Sequence, residues 1–157
     1  MKVELWVIGN TSFPYLKEGT AIYEKRLKHY LPFEYSIIPD IKNAKNRTNE
    51  QLKSKEGAAI LKKLDKGDWL VLLDEGGKEY SSLKFANYME NMLQQSHKRI
   101  IFVVGGAYGF SPEVYQRANA KISLSKMTFS HQMVRLFILE QLYRAMTILR
   151  NQPYHHE

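Results

Sequence analysis

At 157 residues, with 44% hydrophobic and 25% charged side chains, the chain has the length and composition of one soluble globular domain with a sizeable core. The absence of cysteine excludes disulfides, thiol nucleophiles and cysteine-ligated zinc, and no apolar run approaches the ~20 residues of a membrane span. A net charge of +7 favours a polyanionic partner, and the segment Lys42 to Lys66, with eight basic against three acidic residues, carries most of it.

Lys2 to Ile8 reads as a first strand, entered directly from Met1 without a secretory signal, so we expect a cytoplasmic protein. Gly9-Asn10 turns the chain into a helix from about Pro14 to Tyr30, with Tyr23, Leu27 and Tyr30 on one face. Phe33 to Ile38 is a second strand, and Lys42 to Arg47 a basic, mobile loop. Thr48-Asn49-Glu50-Gln51 has capping-box spacing and opens a helix to Leu64 that buries Leu52, Ile60, Leu61 and Leu64. Trp69 to Leu73 is a continuous apolar run, as suits a central parallel strand, with Asp74 to Lys78 closing it as a turn. Ser81-Ser82 starts a helix with an apolar stripe from Phe85 to Leu93.

Ile100 to Val104 is the next buried strand, and the glycine-rich turn Gly105-Gly106-Ala107-Tyr108-Gly109 follows at once. Glycine there lets a ligand reach the main chain without meeting a Cβ. Ser111-Pro112-Glu113 begins a helix, Lys121 to Leu124 forms a short strand, and the loop Ser125 to His131 is polar with two large apolar side chains. The last helix, Met133 to Leu149, is apolar nearly all round. A terminal helix of that kind cannot bury every side in its own core, which predicts a homodimer.

Strands alternating with helices argue for an α/β fold, a mostly parallel sheet with helices on both faces, in which ligands gather at the carboxyl ends of the strands. Leu73, Gly105 and Leu124 mark three such ends. The glycine turn does not satisfy a dinucleotide fingerprint: it lacks the GxGxxG spacing, follows the fourth strand and has no ribose-binding acid after the next one. No Walker-type lysine follows it, and the five histidines lack zinc-ligand spacing, so no metal is expected. Glu140 and Arg144 stand four apart in the apolar last helix, either as a helix-surface ion pair or as a partly buried pair of the kind that marks sites.

Three stretches together, Phe102 to Gly109, Leu124 to Arg135 and Pro153 to Glu157, resemble the bacterial large-subunit ribosomal RNA methyltransferase H family of the SPOUT superfamily. The likeness covers the whole chain, residues 1–157 as one domain. It implies a C-terminal trefoil knot, a homodimer whose two subunits complete each site, and methyl transfer from S-adenosylmethionine to N3 of a pseudouridine in 23S ribosomal RNA. By motif match the cofactor would contact Leu73, Gly105, Leu124, Ser125, Lys126, Met127, Thr128 and Phe129. His155, Glu140, Arg144 and His131 are the catalytic candidates, with Arg144 and Arg135 placing phosphate or uracil oxygens. The chain departs from the pattern at Ser130, where similar proteins carry proline, which would loosen the loop, and at His156, where they carry a basic residue. With no added RNA-binding domain, recognition by shape and backbone charge is expected, with Lys42 to Lys66 contacting an assembled ribosome. An RNA-binding protein without catalysis would share the charge but not need the glycine turn, and a nicotinamide oxidoreductase would need the missing fingerprint.

Overall fold

The computed structural model describes residues 1–156 and places five parallel strands in the order β2-β1-β4-β3-β5. They are β1 (Lys2–Ile8), β2 (Phe33–Ile38), β3 (Asp68–Glu79), β4 (Arg99–Val104) and β5 (Ala120–Ser123). The helices are α1 (Pro14–Leu27), α2 (Asn49–Lys63), α3 (Ser82–Leu93), α4 (Pro112–Arg117) and α5 (His131–Leu149).

Period-two alternation in the strands feeds two separate cores. Val3, Leu5 and Val7 of β1 and Ile100, Phe102 and Val104 of β4 point to one face, where α1, α3 and α5 cover them. Trp6, Ile8, Ile101 and Val103 point to the other, under Ile60 of α2 and Val114 of α4. The continuous apolar runs read from the sequence are therefore strands covered on both sides, each fully buried Leu, Ile or Phe contributing about 1.5–3 kcal/mol.

Serine and threonine caps fix the helix starts as their spacing predicts. Thr48 and Gln51 form a reciprocal capping box, and the Ser81 and Ser111 hydroxyls accept from the amides of Lys84 and Val114. Three expectations shift. Helix α1 stops at Leu27, and Lys28 to Tyr30 continue as tighter turns closed by bonds such as His29 N–H to Arg26 O at 3.2 Å. The basic loop after β2 holds a short 3₁₀ turn, Ala44–Asn46, tied by the Arg47 guanidinium to Lys42 O at 3.1 Å. Of the four side chains expected to be buried by α2 only Ile60 is, Leu52, Leu61 and Leu64 being half-buried, while Gly57 is buried where α2 approaches Ser111 and Val114 of α4.

The largest difference is in β3. Asp74 to Lys78 is not a simple turn: Ile122 of β5 pairs with both Leu73 and Lys78. A strand residue has one backbone neighbour on each side, so β3 crosses over β5 and returns along its outer edge. Gly77 makes the crossing, with the Cβ position only 2.6 Å from backbone atoms of Ile122.

The amino ends of the strands hold a charge network. Arg99 donates to Asp68 through Nε at 2.9 Å and a terminal nitrogen at 2.6 Å, and to Glu4 at 3.2 Å, while Glu4 accepts from the Trp6 indole at 2.8 Å. Burial alone would raise the Asp68 pKa, but the Arg99 hydrogen bonds and charge hold it below the ordinary carboxylate value. A depressed folded pKa stabilises the fold above the unfolded value near 3.9 and is lost as pH falls through the folded one. Asp68→Asn should thus cost about 2 kcal/mol at pH 7, with the gap to wild type closing below about pH 4 in denaturant titrations.

Candidate active site

The carboxyl ends of β3, β4 and β5 are adjacent in the sheet, and they open into a cleft of about 650 Å³. Leu73, Gly105, Leu124, Ser125, Met127, Thr128 and Phe129 all line it, so the sequence-predicted cofactor residues meet in one place. Lys126 is exposed and lies outside the lining.

Each wall has a local cause. The glycine turn is closed by Gly109 N–H to Gly106 O at 3.3 Å, with Gly109 at φ +86° in the left-handed region. A Cβ on Gly105 would sit 3.1 Å from the Phe110 ring, and one on Gly106 would meet the Glu56 carboxylate at 2.7 Å. The facing loop is shaped by serines: Ser123 donates to Ser125 O at 2.8 Å, and the Met127 amide donates to Ser125 Oγ at 2.9 Å. Ser130, expected to loosen this loop, instead caps α5 by accepting from the Met133 amide at 3.2 Å, a contact worth about 1 kcal/mol. The helix accordingly starts at His131, two residues before the apolar run. Met127 and Phe129 leave 74% and 38% of their surface exposed at the cleft mouth.

Electrostatics separate the groups around this cleft. His131 lines it, and burial, then the nearby Arg135 charge, lower its pKa against a small opposing pull from Asp40, so the ring is neutral and able to accept a proton at pH 7. Glu56, behind the glycine turn, has its pKa raised by burial and by Asp40. Asp74 stands on the β3 side, accepting from the Tyr115 hydroxyl at 2.5 Å and from the Gly76 amide at 3.0 Å. Burial and this carboxylate push the Tyr115 hydroxyl up to about 12. The sequence placed Asp74 and Glu75 only in the stretch that closes β3 and Tyr108 only in the glycine-rich turn, and it gave no signal for Tyr115; all four line the cleft.

The other three catalytic candidates sit together elsewhere. Arg144 donates to Glu140 Oε1 through two nitrogens at 3.0 and 2.6 Å and bonds His155 Nδ1 at 3.0 Å, and the Tyr154 hydroxyl donates to the same Glu140 oxygen at 3.0 Å. Glu140 raises the Arg144 pKa, while burial, Tyr23 and Glu140 raise that of Tyr154. Arg144 is thirteen positions along α5 from His131, about 20 Å at 1.5 Å per residue, so the cofactor cleft and this cluster are distinct.

Arg135 corrects an expectation. It is fully buried, with its guanidinium donating to Ile8 O at 2.6 Å, Gly9 O at 2.8 Å and Thr11 Oγ1 at 3.2 Å, so it clamps the end of β1 and cannot reach a phosphate or a uracil. Helix α5 also hides more of itself than its composition predicts. It lies between α1 and α3, and none of its residues from 131 to 149 is exposed.

Among the described residues no helix is long and apolar enough to cross a membrane, and no group of three or more His, Asp or Glu is placed to hold a metal. The chain is 59% identical to the ribosomal RNA large subunit methyltransferase H of Parabacteroides distasonis over 100% of both chains. It is 56% identical to the protein of that name from Christiangramia forsetii over 99% of both. A solved probable methylase family protein from Haemophilus influenzae Rd KW20 shares the fold, with a TM-score of 0.54 at 12% identity, covering 99% of this chain and 70% of that one. The family described as predicted SPOUT methyltransferase matches residues 1–155. A sheet of parallel strands with a ligand-sized cleft at its carboxyl edge, and relatives more than half identical from end to end, agree with that match: the chain belongs to the SPOUT methyltransferase family.

Proposed function

We propose that the protein is a cytoplasmic homodimer that transfers a methyl group from S-adenosylmethionine to N3 of a pseudouridine in 23S ribosomal RNA on the assembled ribosome. The observation that carries this reading is the convergence of seven predicted cofactor residues, from three strand ends, on one cleft of about 650 Å³. That volume suits a nucleoside joined to an amino acid. Glycine at 105 and 106 leaves open main chain where any Cβ would crowd Phe110 or Glu56. The names of the full-length relatives support the ribosomal RNA substrate.

The residues fit the cofactor, and their work is positional. When bound, S-adenosylmethionine supplies a methyl group on a sulfonium, whose carbon–sulfur bonding pair stays on sulfur as the new nitrogen–carbon bond forms. Apolar Leu73, Leu124 and Phe129 would hold a flat ring, the Gly105–Gly109 main chain would admit the sugar and amino-acid arms, and the Ser125–Ser130 loop would exclude water from the site. The N3 proton must leave. His131, neutral and in the cleft, is placed to take it. A knot is supported by the path of β3, which crosses over β5 at Gly77 before α3 begins. Dimer contact is supported by Met127 and Phe129 at the cleft mouth and by the stacked, exposed pair Phe13 and Tyr15, with ring centroids 5.6 Å apart. Exposed Lys42, Lys45, Lys55, Lys62, Lys63 and Lys66 supply the phosphate-facing charge.

Calorimetric titration tests the reading. The wild type should bind S-adenosylmethionine and S-adenosylhomocysteine, and Thr128→Trp, which fills the cleft from an exposed loop, should lose both. Methylation should be faster on assembled ribosomes than on naked RNA. A folded wild type that binds neither ligand would overturn the assignment.

A further inference from the structure

Three pieces of the cleft wall meet at one phenol. Tyr115 of α4 donates to Asp74 Oδ1 at 2.5 Å, just past Leu73, the last residue of β3 to pair with β4. Its ring stands edge-on to Phe110, with centroids 5.8 Å apart, and Lys121 of β5 brings its ammonium to 5.5 Å from the Tyr115 centroid. The Tyr115 hydroxyl is also 3.9 Å from where a Cβ on Gly109 would stand, so it abuts the glycine turn. Asp74, Gly109, Phe110 and Tyr115 all line the cleft.

We propose that Asp74 accepts hydrogen bonds from the ribose hydroxyls of the bound cofactor, and that Tyr115 is the positioning residue that aims it. The inference rests on the methyltransferase reading above and adds a polar contact beyond the residues already matched to the cofactor. Three observations carry it.

The first is spare capacity of one kind. A carboxylate offers about four lone-pair sites. Tyr115 uses one on Oδ1, and the Gly76 amide, at 3.0 Å, uses one on Oδ2. Each oxygen keeps another, and the phenol oxygen, its proton committed to Asp74, can itself only accept. The pair therefore presents acceptors without a donor, which complements the two neighbouring donors of a ribose diol.

The second is fixed orientation. Both oxygens of Asp74 are tied, one to its own strand end and one to α4, so the carboxylate is aimed before a ligand arrives. Burial and Asp74 push the Tyr115 pKa up to about 12, and the phenol keeps the proton that makes this bond at neutral pH.

The third is place. The acceptors stand beside the glycine turn, the stretch of wall with main chain open to a sugar. Two oxygens on one planar group match two hydroxyls on adjacent carbons, whereas an ammonium concentrates its donors on one atom.

Calorimetry on the full-length protein tests the assignment with S-adenosylhomocysteine, its 2′-deoxy and 3′-deoxy analogues, and 5′-methylthioadenosine, which keeps the ribose but lacks the amino-acid arm. The wild type should bind at least one deoxy analogue about tenfold more weakly than the parent, the size of a lost hydrogen bond to a charged group. Asp74→Ala should weaken S-adenosylhomocysteine and 5′-methylthioadenosine by about tenfold, yet bind that deoxy analogue as well as the wild type does. Tyr115→Phe, with a melting temperature close to wild type, should lose about threefold for the parent and less for the deoxy analogue. A carboxylate that only shaped the wall would weaken parent and analogue alike. That result, or a wild type indifferent to both ribose hydroxyls, would overturn the proposal. So would undiminished binding of 5′-methylthioadenosine by Asp74→Ala, which would give the carboxylate to the cofactor's amine. A wild type that binds none of these ligands refutes the methyltransferase reading and this contact with it, whereas failure at Asp74 alone leaves that reading standing.

Discussion

Gly77→Ala should lower the melting temperature by roughly 10 °C and abolish cofactor binding, although Gly77 lies outside the lining of the cleft. Its added Cβ would fall 2.6 Å from the N and C of Ile122 and 2.7 Å from the C of Lys121. Contacts with flexible side chains are relieved by a rotamer change, whereas these neighbours are the backbone of β5 and move only if the strand moves. A strain of about 3 kcal/mol or more is expected, which for a chain of this size corresponds to the stated shift. Beta-5 leads directly into Leu124 to Phe129, so displacing it moves one wall of the cleft. Gly76→Ala is the control. Its nearest foreign atom is a carboxylate oxygen of Asp74 at 3.2 Å, on a side chain that can yield, and it should leave binding within a few-fold of wild type. Thermal scans and calorimetry on both proteins check the pair, and equal behaviour would remove the crossing of β3 over β5 from the account.

The second large effect is expected at Arg135. Replacing a buried ion pair with apolar residues is often neutral, because both charged partners disappear together. Here the partners are the carbonyls of Ile8 and Gly9 and the Thr11 hydroxyl, and a mutation at 135 removes none of them. Arg135→Leu strands the two carbonyls in a buried space, at about 1–3 kcal/mol each before relaxation, while the Thr11 hydroxyl keeps its bond with the Tyr35 hydroxyl at 3.3 Å, so a loss of about 3 kcal/mol in denaturant unfolding is expected. Arg135→Lys should recover only part of it, since one ammonium cannot span three acceptors in the geometry of a guanidinium. Stability near wild type in the leucine variant would show that water or a shift of α5 satisfies the β1 end.

Local signals made most of the fold legible in advance. Ile100 to Val104 and Trp69 to Leu73 are unbroken apolar runs, and only a strand covered on both faces accommodates them. Thr48, Ser81 and Ser111 announced three helix starts because a cap acts within four residues. What stayed hidden depends on residues far apart in the chain. Asp74 to Lys78 has the composition of a turn, and nothing local says that it climbs over a strand beginning more than forty positions later. Tyr115 meets Asp74 across 41 residues, with no motif to link them. Arg135 looked like an anion ligand because arginine in a helix usually faces outward, and its burial under the β1 end is a tertiary fact. The cleft was foreseeable because a parallel sheet sends its strand ends to one side, so three candidate ends in the sequence become one site once the strands are adjacent.

The path of β3 also bears on how the protein behaves when concentrated. An open sheet has two edge strands, each a row of unpaired amides and carbonyls that invites pairing with another molecule. On one edge, β2 carries Glu34 bonded to Lys2, and charge of that kind discourages strand addition. On the other, the short β5 is already flanked on its outer side by Lys78 and Glu79 of the returning β3. The outer edge is thus a short stretch carrying Lys78 and Glu79, and charge of both signs there disfavours edge-to-edge growth.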